Sequence, residues 1–129
     1  MNHSFVAGGY EKADPMVPHG ISVVLNAPAA FRFTGPAAPE AHRRAAEALG
    51  ADVRGVGLEQ AGQALADKLI ALMRATHLPN GLSALGYGEG DIPGLVKGAM
   101  AQQRLLSIAP CPVGEAELRG LYAGAMRYW

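Results

Sequence analysis

The sequence has little of the material that several protein classes require. A single cysteine, Cys111, stands among 129 residues, which excludes an internal disulfide and a zinc site built from several thiolates. Lysine plus arginine number 11, and so do aspartate plus glutamate, so no basic excess is available for nucleic acid or for an anionic membrane surface. No apolar run approaches the roughly 18 residues of a membrane span. Since the N-terminus also lacks the pattern of a signal peptide, we expect a cytoplasmic protein.

The chain nevertheless contains enough apolar material for one core. Half of it is hydrophobic, although only 6% is aromatic. Residues 1–18 are interrupted by Gly8-Gly9, Pro15 and Pro18, which predicts an irregular N-terminal loop. The length therefore fits one domain, which we place at residues 19–129.

Helical periodicity dominates the sequence after residue 34. Apolar residues recur at three- and four-residue intervals in 58–77, which predicts an amphipathic helix. Similar patterns predict helices over 39–49, from 92 to about 103, and over 115–128. The side chain of Asp91 is expected to cap the helix that begins at residue 92, by accepting from the amide of Gly94. No strand alternation appears after residue 34. The pattern predicts an all-α domain of four to five helices.

Two segments remain open to interpretation. Residues 19–34 contain β-branched residues that suit a buried strand, but Pro18 also suits the approach to a helix, which Pro28 would then kink. In the last helix, one apolar stripe runs to Trp129, which predicts that Trp129 faces the core and Tyr128 faces solvent.

Motifs for common chemistries are absent or incomplete. Gly86-Tyr87-Gly88-Glu89-Gly90 is not the GxGxxG of a dinucleotide-binding turn, and Gly55-Val56-Gly57 lacks the third glycine. No serine lies in a GxSxG elbow. The lone thiol of Cys111, between Pro110 and Pro112, is either a small buried side chain or a thiol activated by the helix that follows.

One of the four histidines stands out. His42 and His77 are expected to be solvated, and His3 lies in the weak N-terminal loop. His19 instead lies in Val17-Pro18-His19-Gly20, between a rigid proline and a permissive glycine. This arrangement holds an imidazole at the mouth of an element and leaves space beside it, although a structural role also remains open.

Three segments in order carry a resemblance to a known family. They are Pro15 to Thr34, which includes Pro18-His19-Gly20, then Gly86-Tyr87 through Gly98, and Arg104 to Pro112. Together they resemble the iron-containing alcohol dehydrogenase family, most of all its hydroxyacid-oxoacid transhydrogenase branch. The resemblance spans about residues 9–129.

The resemblance implies a fold and a metal centre. Members have an N-terminal nucleotide-binding α/β domain and a C-terminal helical domain, of the dehydroquinate synthase-like type, with iron(II) or zinc between them. An aspartate and three histidines hold the metal, which polarises the oxygen of the substrate as a Lewis acid. His19 matches the last of these histidines. Neither Asp14 nor His3 matches a ligand motif. The loop around Cys111 lies near the substrate pocket in the family.

The resemblance also implies a kinked helix rather than a strand for residues 20–33.

The resemblance leaves several functions open. The first is the partial helical domain of a metal-dependent dehydrogenase that moves hydride between NAD(P) and a small alcohol or hydroxy acid. This chain lacks the nucleotide domain and most of the metal ligands, so we expect it alone to retain no metal and to be inactive. The alternatives are a non-catalytic helical binding or assembly module, or a degenerate remnant. Expected partners are further copies of this chain or a separately encoded nucleotide-binding domain.

Overall fold

The computed structural model describes residues 17–129, so predictions for His3, Asp14 and the rest of 1–16 lie outside the described residues. The described part is helical and contains no strand. Its α-helices are α1 (His19–Val24), α2 (Ala27–Thr34), α3 (Pro39–Ala48), α4 (Ala61–Ala75), α5 (Ile92–Met100), α6 (Gln103–Leu106) and α7 (Glu115–Gly124). None of these helices is long and apolar enough to cross a membrane.

The predicted all-α class is confirmed, and most boundaries move by a few residues. Residues 19–34 form two helices rather than a strand, as the resemblance implied. The predicted helix over 58–77 begins with a 3-10 turn at Leu58–Gln60, and the predicted helix over 115–128 ends at Gly124. Short 3-10 turns also interrupt the predicted glycine-rich loop before α5.

The apolar side chains form two clusters. The larger one joins α1, α2, α4, α5 and α7, and Leu25, Met73, Leu82 and Val96 are almost completely buried within it. The smaller one contains Ala46, Val53 and Leu65, where α3 packs on α4. Burial of these stripes is the main favourable term that holds the helices together.

Two glycines allow α2 to approach α4 closely. A Cβ added to Gly62, within α4, would lie 2.6 Å from the carbonyl oxygen of Phe31 and 2.9 Å from the Cα of Gly35. A Cβ added to Gly35 would lie 2.6 Å from the Cα of Gly62. Backbone therefore touches backbone at this crossing, and no side chain fits between the helices.

The residues after α7 return to the loop that follows α4. The side chain of Asn80 accepts hydrogen bonds from the amides of Tyr128 (2.8 Å) and Trp129 (3.2 Å), and it donates one to the carbonyl of Trp129. Tyr128 and Trp129 are both partly buried against the core. The predicted division, with Tyr128 in solvent, is therefore wrong, because the helix ends before these residues and its period no longer applies.

Asp91 does not cap α5 with its side chain. Its carboxylate instead accepts a hydrogen bond from the amide of Gly88 at 2.8 Å, which closes the preceding 3-10 turn. The prediction that it would accept from the amide of Gly94 is wrong. The short turn places the carboxylate closer to the backbone before it than to the helix after it.

Candidate functional site

His19 is the first residue of α1. Pro18 precedes it with an extended backbone, at φ −54° and ψ 140°, and the carbonyl of Pro18 accepts the amide of Ser22 at 3.0 Å. The fixed φ of proline suits this position directly before a helix. His19 is exposed, and a Cβ added to Gly20 would meet nothing within 4 Å. The position next to His19 in the chain therefore borders open space.

Side chains on α1 and just after it strengthen this short helix. The hydroxyl of Ser22, which is buried, donates to the carbonyl of His19 at 2.8 Å. The side-chain amide of Asn26 donates to the carbonyl of Ser22, also at 2.8 Å. An isolated helix of six residues is not stable in water, so such contacts help to hold the backbone of His19.

Cys111 lies in the loop between α6 and α7. Its thiol is free and half-buried. It lines a surface groove of about 440 Å³ together with residues of α6 and of the loop itself: Gln103, Leu106, Ser107, Ala109, Pro110, Pro112 and Val113. His19 is not among the described residues that line this groove. The structure thus places Cys111 at a concave surface, in a groove that His19 does not line among the described residues.

His42 is buried, which corrects the prediction that it is solvated. Its Nδ1 lies 2.7 Å from the carbonyl oxygen of Ala38, and its Nε2 lies 2.9 Å from the hydroxyl of Thr34. Its ring also meets Phe31 edge to face, with centroids 5.5 Å apart. Both ring nitrogens therefore have structural partners, so His42 is a packing residue. His77 is exposed at the end of α4, as predicted.

The described residues do not form a complete metal site. Residues 17–129 contain no group of three or more histidine, cysteine, aspartate or glutamate side chains that could hold a metal ion. A stable iron or zinc site needs several such ligands in a fixed geometry. The side chains in this part of the chain therefore do not, by themselves, fit a metal ion.

The chain belongs to the iron-containing alcohol dehydrogenase family. Residues 12–126 match the model of the "Fe-containing alcohol dehydrogenase family, C-terminal". This match covers the three segments on which the resemblance was based. It also includes His19, α1 and the loop that contains Cys111.

Relatives within the family share much of the sequence. Human "hydroxyacid-oxoacid transhydrogenase, mitochondrial" is 43% identical over 125 residues, which is 97% of this chain and 27% of the human protein. The same-named protein of Xenopus tropicalis is 44% identical over 126 residues, which is 98% of this chain and 27% of that protein. The chain thus spans about a quarter of the length of these relatives.

A solved structure has the same fold. The crystal structure of 1,3-propanediol oxidoreductase matches with a TM-score of 0.76 at 24% identity, over 84% of this chain and 28% of that chain. The helical arrangement of this chain therefore matches one part of the oxidoreductase structure. This likeness confirms the predicted fold class.

The sequence singled out His19 as a candidate, but it did not indicate the distant groups that support its helix. Tyr128 and Asn80 carry no local signal, because they are about 100 and 60 residues away from α1 along the chain. Tyr128 reaches the α1–α2 junction because the C-terminal residues dock there. The apolar stripe of α7 does not specify this docking.

Proposed function

We propose that this chain is the metal- and substrate-facing helical unit of an iron-dependent alcohol dehydrogenase of the hydroxyacid-oxoacid transhydrogenase type. The observation that carries the proposal is the position of His19. This histidine is exposed at the first position of α1, next to Gly20, in a chain that matches the C-terminal model of the family. The reaction would be hydride transfer between NAD(P) and a small alcohol or hydroxy acid.

His19 would supply one imidazole nitrogen to the metal. The remaining ligands would come from residues outside 17–129, since this part of the chain contains no cluster of three or more potential ligands. The loop around Cys111 would line the substrate side, with the thiol as a wall rather than a nucleophile. The described residues contain no strand, and a dinucleotide-binding turn requires one. NAD(P) would therefore bind through a nucleotide-binding domain and not through this chain.

The proposal includes inactivity of the 129-residue chain by itself. Ordering several ligands around a metal is costly when most of them are not fixed by the fold. The expectation of a cytoplasmic location stays a prediction, beside relatives whose names place them in mitochondria.

Complementation tests this function. A transhydrogenase relative truncated before the region that matches this chain would be supplied with the chain, iron(II), NAD and a small hydroxy acid. We expect activity with the wild-type chain and with His77→Ala, and a loss of at least about a hundredfold with His19→Ala. Equal activity of wild type and His19→Ala would contradict the proposal. Failure of every chain to restore activity would favour a non-catalytic module.

A further inference from the structure

The junction between α1 and α2 is a break in one helical path. In an uninterrupted helix, the amide of residue 28 would donate to the carbonyl of Val24, and the amide of Ala29 would donate to the carbonyl of Leu25. Pro28 has no amide hydrogen, so the first of these bonds is impossible. The path turns at Leu25 and Asn26 and resumes as α2.

A side chain from the far end of the chain replaces the second bond. The hydroxyl of Tyr128 donates to the carbonyl of Leu25 at 2.8 Å and accepts the amide of Ala29 at 3.4 Å. One oxygen therefore bridges the donor and the acceptor that the helix would otherwise join directly. Insertion of a polar group into the helical hydrogen-bond ladder is an established cause of a kink. Leu25 is completely buried, so its carbonyl depends on a partner within the protein.

Tyr128 is itself held firmly at this position. Its amide donates to the side chain of Asn80 at 2.8 Å. Its ring lies beneath the guanidinium of Arg32, on α2, with 5.9 Å between the guanidinium carbon and the ring centroid. The bridge is thus fixed to the loop after α4 on one side and to α2 on the other.

The angle of this kink decides where His19 lies. Seven residues separate His19 from Asn26, which corresponds to about 10 Å along a helix. A change of about 10° at the junction would therefore move the backbone of His19 by about 2 Å. Ligand and catalytic groups need placement within about 0.5 Å, so the kink is a sensitive control of this position.

We propose that Tyr128 is a positioning residue for His19, through the bridge that its hydroxyl makes between Leu25 and Ala29. The proposal rests on the role of His19 given under the proposed function, and it adds the group that sets the orientation of α1. Tyr128 itself touches neither metal nor substrate in this account.

Nuclear magnetic resonance of the full 129-residue chain, without metal or substrate, tests the proposal. In Tyr128→Phe we expect the His19 ring signals to shift and the Ala29 amide to exchange about tenfold faster, because its hydrogen bond is lost. The matched control is Tyr122→Phe, which removes the same atom from a second tyrosine, which is buried, and leaves the bridge intact. We expect the His19 signals to stay at their wild-type positions in this control.

A second variant keeps the test decisive. Asn80→Ala releases the backbone of Tyr128 without altering its ring, and it should shift the same His19 signals. Unchanged His19 signals in Tyr128→Phe and Asn80→Ala, or equal shifts in Tyr122→Phe, would overturn the proposal. Because no activity is measured, this failure is distinct from a failure of complementation.

Discussion

Buried tyrosines make the stability of this fold sensitive to alkaline pH. Burial raises the pKa of Tyr122 and of Tyr128 above the ordinary value of 10.0; for Tyr128 the Ala29 amide and the Arg32 guanidinium oppose part of the rise in pKa. Burial also raises the pKa of Tyr87, with a smaller contribution from the charge of Asp91. The folded state therefore favours the protonated phenols.

The sign of the pH dependence follows from these shifts. A raised pKa in the folded state contributes stability that is fully present below about pH 10 and is lost as pH rises through the folded value. We expect the free energy of unfolding in urea to fall as the pH rises above about 10. The fall should be shallower in Tyr122→Phe and in Tyr128→Phe. A wild-type stability that stays constant above about pH 10 would contradict the argument.

His77 occupies a backbone position that favours glycine. Its φ is +57°, and it follows the end of α4, where its amide bonds to the carbonyl of Arg74 and the amide of Leu78 bonds to the carbonyl of Met73. This pair of bonds is the Schellman arrangement, in which glycine is the usual residue.

The substitution His77→Gly should therefore stabilise the protein. Relief of the left-handed strain outweighs the greater freedom of glycine in the unfolded chain, which gives about 0.5–1 kcal/mol. His77→Ala is the control, because it removes the imidazole and keeps the strain. Thermal unfolding should rank His77→Gly above both wild type and His77→Ala, and the reverse ranking would show that the backbone is not strained there.

At the residue scale, local sequence signals predicted where a histidine lies along its helix but not whether its side chain is buried. Pro18-His19-Gly20 predicted an exposed imidazole at the mouth of an element, because both neighbours act through their own backbone. The burial of His42 depends on Thr34 and Phe31, which only the packing of α2 beside α3 supplies. The one-residue environment of His42 contains no sign of that packing.

At the scale of the elements, the crossing of α2 and α4 places backbone directly against backbone. Apolar periodicity predicted α4 well, because fifteen residues repeat the pattern over four turns. It could not predict that Gly62 has to lack a side chain because Gly35 packs against it, since the two residues lie on different helical segments. The sequence also predicted a kink at Pro28, but it did not predict that the hydroxyl of Tyr128 bridges the break.

Replacing Gly62 by alanine tests this crossing. An alanine within a helix normally stabilises it by about 0.5–1 kcal/mol relative to glycine. Here the new Cβ would lie 2.6 Å from the carbonyl oxygen of Phe31, so the helices must separate. We expect Gly62→Ala to destabilise the protein by about 1–3 kcal/mol. Gly120→Ala in α7, where an added Cβ meets nothing within 4 Å, should stabilise it instead. Two changes of the same sign would contradict the account.

At the scale of the whole molecule, apolar surface remains uncovered. The apolar stripe of residues 115–128 mostly faces the core, since Leu118 and Met126 are buried. On α4, however, Leu72 is 37% exposed, and a groove of about 500 Å³ nearby contains Leu65 and Leu69. Exposed apolar patches of this kind favour association between molecules.

We expect the chain to form dimers or higher oligomers in sedimentation equilibrium. Leu72→Glu should shift the distribution toward monomer, because a charge would replace apolar contact area. Ala71→Glu places the same charge on an exposed position of the same helix and should leave the distribution unchanged. A wild-type chain that sediments as a monomer at high concentration would show that self-association does not occur.

In the proposed function, His19 is one ligand of a metal centre that this chain does not complete alone. Metal content per chain, measured by plasma mass spectrometry after gel filtration in iron(II), checks this assignment. We expect well below one iron per isolated 129-residue chain. We expect about one iron per complex when the truncated relative is present, lost in His19→Ala and kept in His77→Ala. About one tightly held iron on the isolated chain, or iron in the complex that survives His19→Ala, would contradict the account.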